Sequence, residues 1–84
     1  MSAVNGDEER ITARGLRSPG PLMLVRTRLR ETDKARLRVI VSSAEAADEI
    51  VRFLLQRGAR AEVDRAGDDY HVIADISRYK DVDR

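Results

Sequence analysis

Two prolines separated by one residue, Pro19 and Pro21, constrain the fold more than any other feature of the sequence. Proline has no backbone N–H to donate, so this pair suits neither a central strand nor the interior of a helix. It suits the first turn of a helix, where the N–H groups have no partner inside the helix. Because apolar residues recur at helical spacing over residues 22–29, the sequence predicts a helix over Pro19–Arg30. Ser18 is then the predicted N-cap residue.

The rest of the chain alternates between patterns typical of strands and of helices. Strands are predicted over Arg10–Ala13, Arg36–Val41, Ala59–Asp64 and Tyr70–Ile76, and a second helix from Ser42 or Ser43 to about Arg57. Gly58 lies where a left-handed residue can end that helix. Gly67 lies in the turn that makes the last two strands a hairpin. The predicted order of elements is therefore βαβαββ.

Each predicted strand has one apolar face, and this pattern decides how the layers pack. The opposite face is mostly polar, so we expect both helices to cover the same side of one sheet. The fold class is an α/β (α+β) two-layer sandwich with a mixed four-stranded sheet. The strands of the strand-helix-strand unit should be parallel, and the final hairpin antiparallel. Ile40 and Ile73 fall on the outer face, where we interpret them as ordinary exposed residues.

The length of 84 residues suits one domain, which we place at residues 10–76. Residues 1–9 are predicted to be disordered, and residues 77–84 to form a loose charged tail. With 42% hydrophobic and 37% charged residues, and with neither a long apolar run nor a secretory signal, the chain is expected to be soluble and cytoplasmic.

The sharpest motif of the chain consists of Arg14, Gly15, Leu16, Pro19 and Pro21. This pattern resembles the signature R-G-L-x-C-P-x-P of the TusA/SirA-like sulfur-carrier family. The predicted order of elements also resembles that family over roughly residues 10–76. Ser18 stands where the family has its cysteine, and Arg17 fills the variable position before it. The resemblance implies a small sulfurtransferase that accepts a persulfide on the cysteine and passes its sulfur on.

A serine cannot carry out this chemistry, because sulfur transfer needs a thiolate that can hold and release a second sulfur. The chain has no cysteine, so its status as an enzyme stays open. One alternative is that Ser18 replaces a natural cysteine, which the helix start, Arg14 and Arg17 would be expected to acidify. The other is that Ser18 is native in a non-catalytic protein-binding or regulatory relative. Departures from the family pattern at Thr12 and over residues 42–44 favour the second.

Positive charge is concentrated in the first half of the chain, where residues 1–41 carry a net charge of +4 against −3 for residues 42–84. The predicted docking residues for an acidic protein partner are Arg17, Arg26, Arg28 and Arg30. A solvated helix face explains these arginines equally well. By resemblance, the partner is a cysteine desulfurase or a sulfur-relay subunit. Nothing in the sequence selects among tRNA thiolation, cofactor synthesis and sulfur oxidation.

Other chemistries are weakly supported. Ser18, His71 and Asp75 supply the residue types of a hydrolase triad, but no nucleophile elbow accompanies them. The sequence has neither metal-ligand spacing nor a phosphate-binding loop, so we expect no cofactor and no metal. RNA binding is a third alternative, disfavoured by the three aromatic residues and the near-neutral charge. We expect no membrane partner, and the oligomeric state stays open with a monomer favoured.

Overall fold

The structure is a computed structural model, and it describes residues 7–81. Its elements are β1 (Glu8–Thr12), α1 (Gly20–Glu31), β2 (Arg36–Val41), α2 (Ala44–Leu55), β3 (Arg60–Ala66) and β4 (Asp69–Asp75). The predicted order βαβαββ is confirmed. The expected disorder of residues 1–6 concerns residues outside the described range, whereas Glu8 and Glu9 belong to β1. Neither helix of the described range is long and apolar enough to span a bilayer.

The four strands form one mixed sheet in the order β1-β2-β4-β3. β1 is parallel to β2, with Ile11 opposite Val39. β4 is antiparallel to both of its neighbours, and its Val72 lies opposite Val39 on one side and Val63 on the other. The predicted two-layer sandwich with a mixed sheet is thus confirmed.

The core lies between the sheet and the two helices. Its largest fully buried side chains are Leu37, Ile50, Leu54, Val25, Val39, Val41, Val72 and Pro21. Leu29 also joins the core, whereas Met23 is 55% exposed. Met23 lies away from the core because the core side of α1 is filled by residues at the spacing of Val25 and Leu29.

The uncovered face of the sheet carries charged side chains that pair across strands. Arg38 Nε lies 3.1 Å from Glu8 Oε2, and Arg38 Nη1 lies 3.0 Å from His71 Nδ1. Ile40 also lies on this face, yet it is only 5% exposed. The expectation that Ile40 is an exposed residue is wrong, because Thr12 and His71 lie opposite it on the two neighbouring strands.

The ends of α2 are fixed by a serine and a glycine. The hydroxyl of Ser43 accepts a hydrogen bond from the Ala46 N–H at 3.1 Å, so Ser43 is the N-cap. Gly58 follows the helix with φ of +91°. A Cβ at Gly58 would lie 2.7 Å from the carbonyl oxygen of Arg78, so this close approach requires glycine.

The segment after β4 is held against the domain as far as it is described. The Tyr79 ring packs on Phe53 with the ring centroids 6.2 Å apart, and burial raises the pKa of Tyr79. The Lys80 N–H donates to the Arg57 carbonyl at 2.8 Å. Residues 77–81 therefore differ from the expected loose tail, because Tyr79 gains apolar contact with the core.

Candidate functional site

The motif begins in the turn that follows β1. The backbone of Ala13 still donates to Ile40 O at 2.8 Å, and Gly15 then turns the chain with φ of +78°. The Gly15 N–H donates to the Ser42 hydroxyl at 3.0 Å, and Arg14 Nε lies 3.0 Å from Asp69 Oδ2. The turn is thus tied both to the start of α2 and to the end of the β3–β4 hairpin.

Helix α1 starts without a side-chain cap. Its N-cap residue is Pro19, and no side-chain oxygen accepts a bond from its first turn. The prediction that Ser18 is the N-cap is therefore wrong, and α1 begins at Gly20, one residue later than expected. Pro21 is buried in the first turn, as a residue without an N–H can be. Leu16 lies over Gly20, where an added Cβ would be 3.3 Å from Leu16 Cβ.

The hydroxyl of Ser18 points at α2 instead of capping α1. It donates to Glu49 Oε1 at 2.9 Å. Both residues line a groove of about 650 Å³ between the helices, which continues past Phe53 to Arg57. Glu45 and Asp48 line the same groove, so its Ser18 end is acidic. The structure therefore brings a neutral hydroxyl of the motif against a carboxylate.

The carboxylate of Glu49 would affect the stability of a thiolate at position 18. A helix N-terminus stabilises a nearby anion by about 0.3–1 kcal/mol at an exposed site. Two like charges about 4 Å apart repel by about 1–4 kcal/mol in surroundings between bulk water and a protein surface. Because Glu49 is already in contact with Ser18, repulsion should exceed the helix effect. The contact with Glu49 thus opposes the acidification that the helix start, Arg14 and Arg17 would be expected to cause.

The four arginines predicted to dock a partner occupy different surroundings. Arg17 is exposed in the turn before Ser18. The guanidinium carbon of Arg26 is 5.7 Å from the centre of the Phe53 ring, so Arg26 faces α2. Arg28 lies on the opposite side of α1, where its Nη1 is 2.6 Å from Glu9 Oε2, and Arg30 Nε is 3.2 Å from Asp81 Oδ2. Of the four, only Arg17 lies next to Ser18, whereas Arg26 lies over the Phe53 ring on which Arg57 also stacks.

The contact between Arg28 and Glu9 also involves Thr32, whose hydroxyl donates to Glu9 Oε1 at 2.9 Å. The hydrogen bond from Arg28 holds the pKa of Glu9 below its usual value, and it outweighs the opposite effect of partial burial. Arg28 therefore stabilises the join between α1 and β1. Among the four arginines it is the one whose contacts are most clearly structural.

Sequence reasoning did not find the residues that surround Ser18 from α2. Glu49 lies 31 positions after Ser18 in the sequence, and Ser42, one of the two predicted starts of the second helix, accepts a hydrogen bond from Gly15. The available signal was helical spacing: Glu49 flanks the core stripe of Ala46, Ile50 and Phe53, so it lies at the edge where α2 meets its neighbour. The triad idea fails on geometry, because His71 lies on the uncovered face of the sheet.

The model of the sulfurtransferase TusA family matches residues 9–75. The chain belongs to this family. A solved SirA-like protein from Desulfitobacterium hafniense is similar to it with a TM-score of 0.71, at 19% identity, over 79% of this chain and 93% of that one. This likeness shows the fold. No curated protein matches the chain.

Membership in the TusA family places the motif of this chain within a group that acts in sulfur relay with partner proteins. The sequence lacks the cysteine of the family signature and has no cysteine elsewhere. Within residues 7–81, no three histidine, aspartate or glutamate side chains are grouped so that they could hold a metal ion. The side chains that the site presents are a hydroxyl, carboxylates and arginines.

Proposed function

We propose that this chain is a TusA-family protein that binds a protein partner of sulfur relay without carrying sulfur itself. The observation that carries the proposal is the contact of the Ser18 hydroxyl with Glu49 at 2.9 Å. A hydroxyl is neutral and donates readily to a carboxylate, whereas a thiolate placed there would be repelled by it. Ser18 therefore fits its surroundings as a native residue would.

The binding part of the proposal rests on what the motif exposes. Leu16 and Met23 are about half exposed beside the turn, and Arg17 stands next to Ser18. Methionine and arginine are enriched at protein interfaces relative to the rest of the surface. The partner is by resemblance a cysteine desulfurase or a relay subunit of the cytoplasm.

A second candidate is a working sulfur carrier in which Ser18 replaces a natural cysteine. It is favoured by the motif residues other than Ser18, which fit the family signature. This candidate predicts that Ser18→Cys accepts sulfur, because exchange at a donor persulfide moves one sulfur atom onto the thiolate and leaves the donor as a thiol.

The test combines sulfur loading with binding. The wild type and Ser18→Cys are each incubated with a cysteine desulfurase and cysteine, and intact mass is measured. We expect no added sulfur on the wild type and little on the variant. Rapid loading of Ser18→Cys by one sulfur atom, removable by a reductant, would favour the working carrier instead.

Binding of the desulfurase is measured by surface kinetics at low and moderate salt. We expect the double variant Arg17→Gln/Arg26→Gln to bind about tenfold more weakly, mainly through slower association. The matched control is Arg10→Gln/Arg65→Gln, which removes the same charge from β1 and from the β3–β4 hairpin. Equal binding by both double variants and the wild type would contradict docking at the motif, and tighter binding of single-stranded RNA than of protein would favour the RNA alternative.

A further inference from the structure

Three cations surround Gly58, at the far end of the groove that starts at Ser18. Arg57, Arg78 and Lys80 line a shallow cavity of about 430 Å³ together with Gln56 and Gly58. No carboxylate lines this cavity. We call the three cations the basic cradle. In the part of the chain that the structure describes, none of them forms an ion pair with a carboxylate.

Arg57 is the inner member of the basic cradle, and it lines the groove as well. Its guanidinium carbon lies 4.0 Å from the centre of the Phe53 ring, and this stacking fixes the plane of the guanidinium group. Its Nη1 reaches Phe53 O at 3.4 Å, a long contact. Its Nε is buried and has no acceptor among residues 7–81. The guanidinium also lines the cavity and pairs with no carboxylate among residues 7–81, so its charge is available to an anion there.

The outer members are held in place by the backbone. The Lys80 N–H donates to Arg57 O at 2.8 Å, and the Tyr79 N–H donates to Ile76 O at 3.1 Å. The carbonyl of Arg78 lies so close to Gly58 that a side chain there would collide with it. These contacts bring Arg78 and Lys80 beside Arg57 before any ligand arrives, which lowers the entropy cost of binding.

We propose that the basic cradle is a docking site for an acidic segment of a partner protein. The support is charge complementarity: three cations and no carboxylate line this cavity, whereas Asp75 lines a smaller one that shares Arg78 and Gly58 with it. One of the three cations is a guanidinium, a group that can bind a carboxylate through two N–H groups. An RNA strand fits less well, because Phe53 is only 8% exposed and lies under the guanidinium, so it offers no open ring for base stacking.

The basic cradle lies apart from the surface around Ser18. Arg57 lies eight residues after Glu49, or about 12 Å along a helix axis. A partner seated at Ser18 therefore could extend along the groove to reach it, but binding at the basic cradle does not require Ser18. Arg17→Gln alone tests the motif, because Arg26 lies over the Phe53 ring on which Arg57 also stacks, and variants of Arg78 and Lys80 test the basic cradle.

The probe is a fluorescein-labelled peptide of alternating glutamate and glycine, with the matching glutamine and glycine peptide as its control. Anisotropy at low salt measures binding to the wild type, to Arg78→Gln/Lys80→Gln and to the Arg10→Gln/Arg65→Gln control. We expect the first double variant to bind the glutamate peptide about tenfold more weakly and the control variant to bind it like the wild type. Arg57→Lys, which keeps the charge but loses the guanidinium group, should also weaken binding.

Thermal unfolding of each variant shows whether the fold is kept, and both outer positions are exposed, so we expect it to be. The proposal is overturned if Arg78→Gln/Lys80→Gln binds the peptide like the wild type, or if the control double variant loses as much affinity. It is also overturned if a single-stranded RNA oligomer displaces the peptide at lower concentration than the unlabelled peptide does.

Discussion

Helices α1 and α2 are equally long, with twelve residues each, but they relate to the core in different ways. Five residues of α2 are buried, and its first turn is capped by Ser43. Only three residues of α1 are buried, its first turn has no side-chain cap, and Met23 and Leu24 are exposed. The difference indicates that α2 stabilises the fold, whereas α1 presents the motif and leaves apolar surface available to a partner.

The sharpest test of this contrast compares apolar truncations in the two helices. Leu54 of α2 is fully buried, so Leu54→Ala should lower the free energy of unfolding by about 2–5 kcal/mol. Leu24 of α1 is 38% exposed, so Leu24→Ala should change it by less than about 1 kcal/mol. Chemical denaturation of both variants measures the difference. Similar losses in the two variants would show that α1 is as structural as α2.

The second test compares two serines. Ser43→Ala removes the cap of α2 and should lower the free energy of unfolding by about 1 kcal/mol. Ser18→Ala removes an exposed hydroxyl that caps nothing, so its effect on unfolding should be about half of this or smaller. Urea unfolding of the two variants under the same buffer conditions checks this. A larger loss from Ser18→Ala would assign Ser18 a structural role that its geometry does not indicate.

The smallest effect should come from the ion pair between Arg28 of α1 and Glu9 of β1. The pKa of Glu9 is lowered in the folded state, mainly by the hydrogen bond from Arg28, so the folded state binds its proton less tightly than the unfolded state. The contribution of Glu9 to the free energy of unfolding is therefore present above the usual pKa of Glu, about 4.3. It is lost as pH falls through the lowered pKa of the folded state. Because Arg28 is partly exposed, the contribution is at most about 1 kcal/mol.

Unfolding of Glu9→Gln and the wild type from pH 7 to pH 3 measures this contribution. The two curves should differ at pH 7 and converge in acid, whereas the control Glu62→Gln, exposed on β3, should follow the wild type. A difference that grows as pH falls would contradict the assignment to Glu9.

The sequence predicted the order of elements and each boundary to within two residues, because strand alternation and helical spacing are local signals. It misplaced the cap of α1, since Pro19 itself occupies the N-cap position. It also missed Glu49 beside Ser18, because a contact between two helices depends on how they pack. Tyr79 was missed for a similar reason, as a single aromatic in a charged segment gives no periodic signal.

The candidate functional site is the region whose geometry local sequence patterns predict least well. The turn at Gly15 does follow a local rule, because its φ of +78° is one that glycine adopts without strain. The distribution of arginines was visible in the sequence, but their directions were not: Arg28 faces β1 while Arg26 faces α2. Charge counted along a chain therefore overestimates the extent of a basic surface, because a helix sends residues two apart to opposite sides.

The most direct measurement is the pKa of the thiol in Ser18→Cys, obtained from the alkylation rate as a function of pH. The contact with Glu49 predicts a pKa at or above the usual value of about 8.5, and Glu49→Gln in the same variant should lower it. A thiol pKa well below 8.5 with Glu49 in place would contradict a site suited to a hydroxyl and would support a position prepared for a sulfur-carrying cysteine.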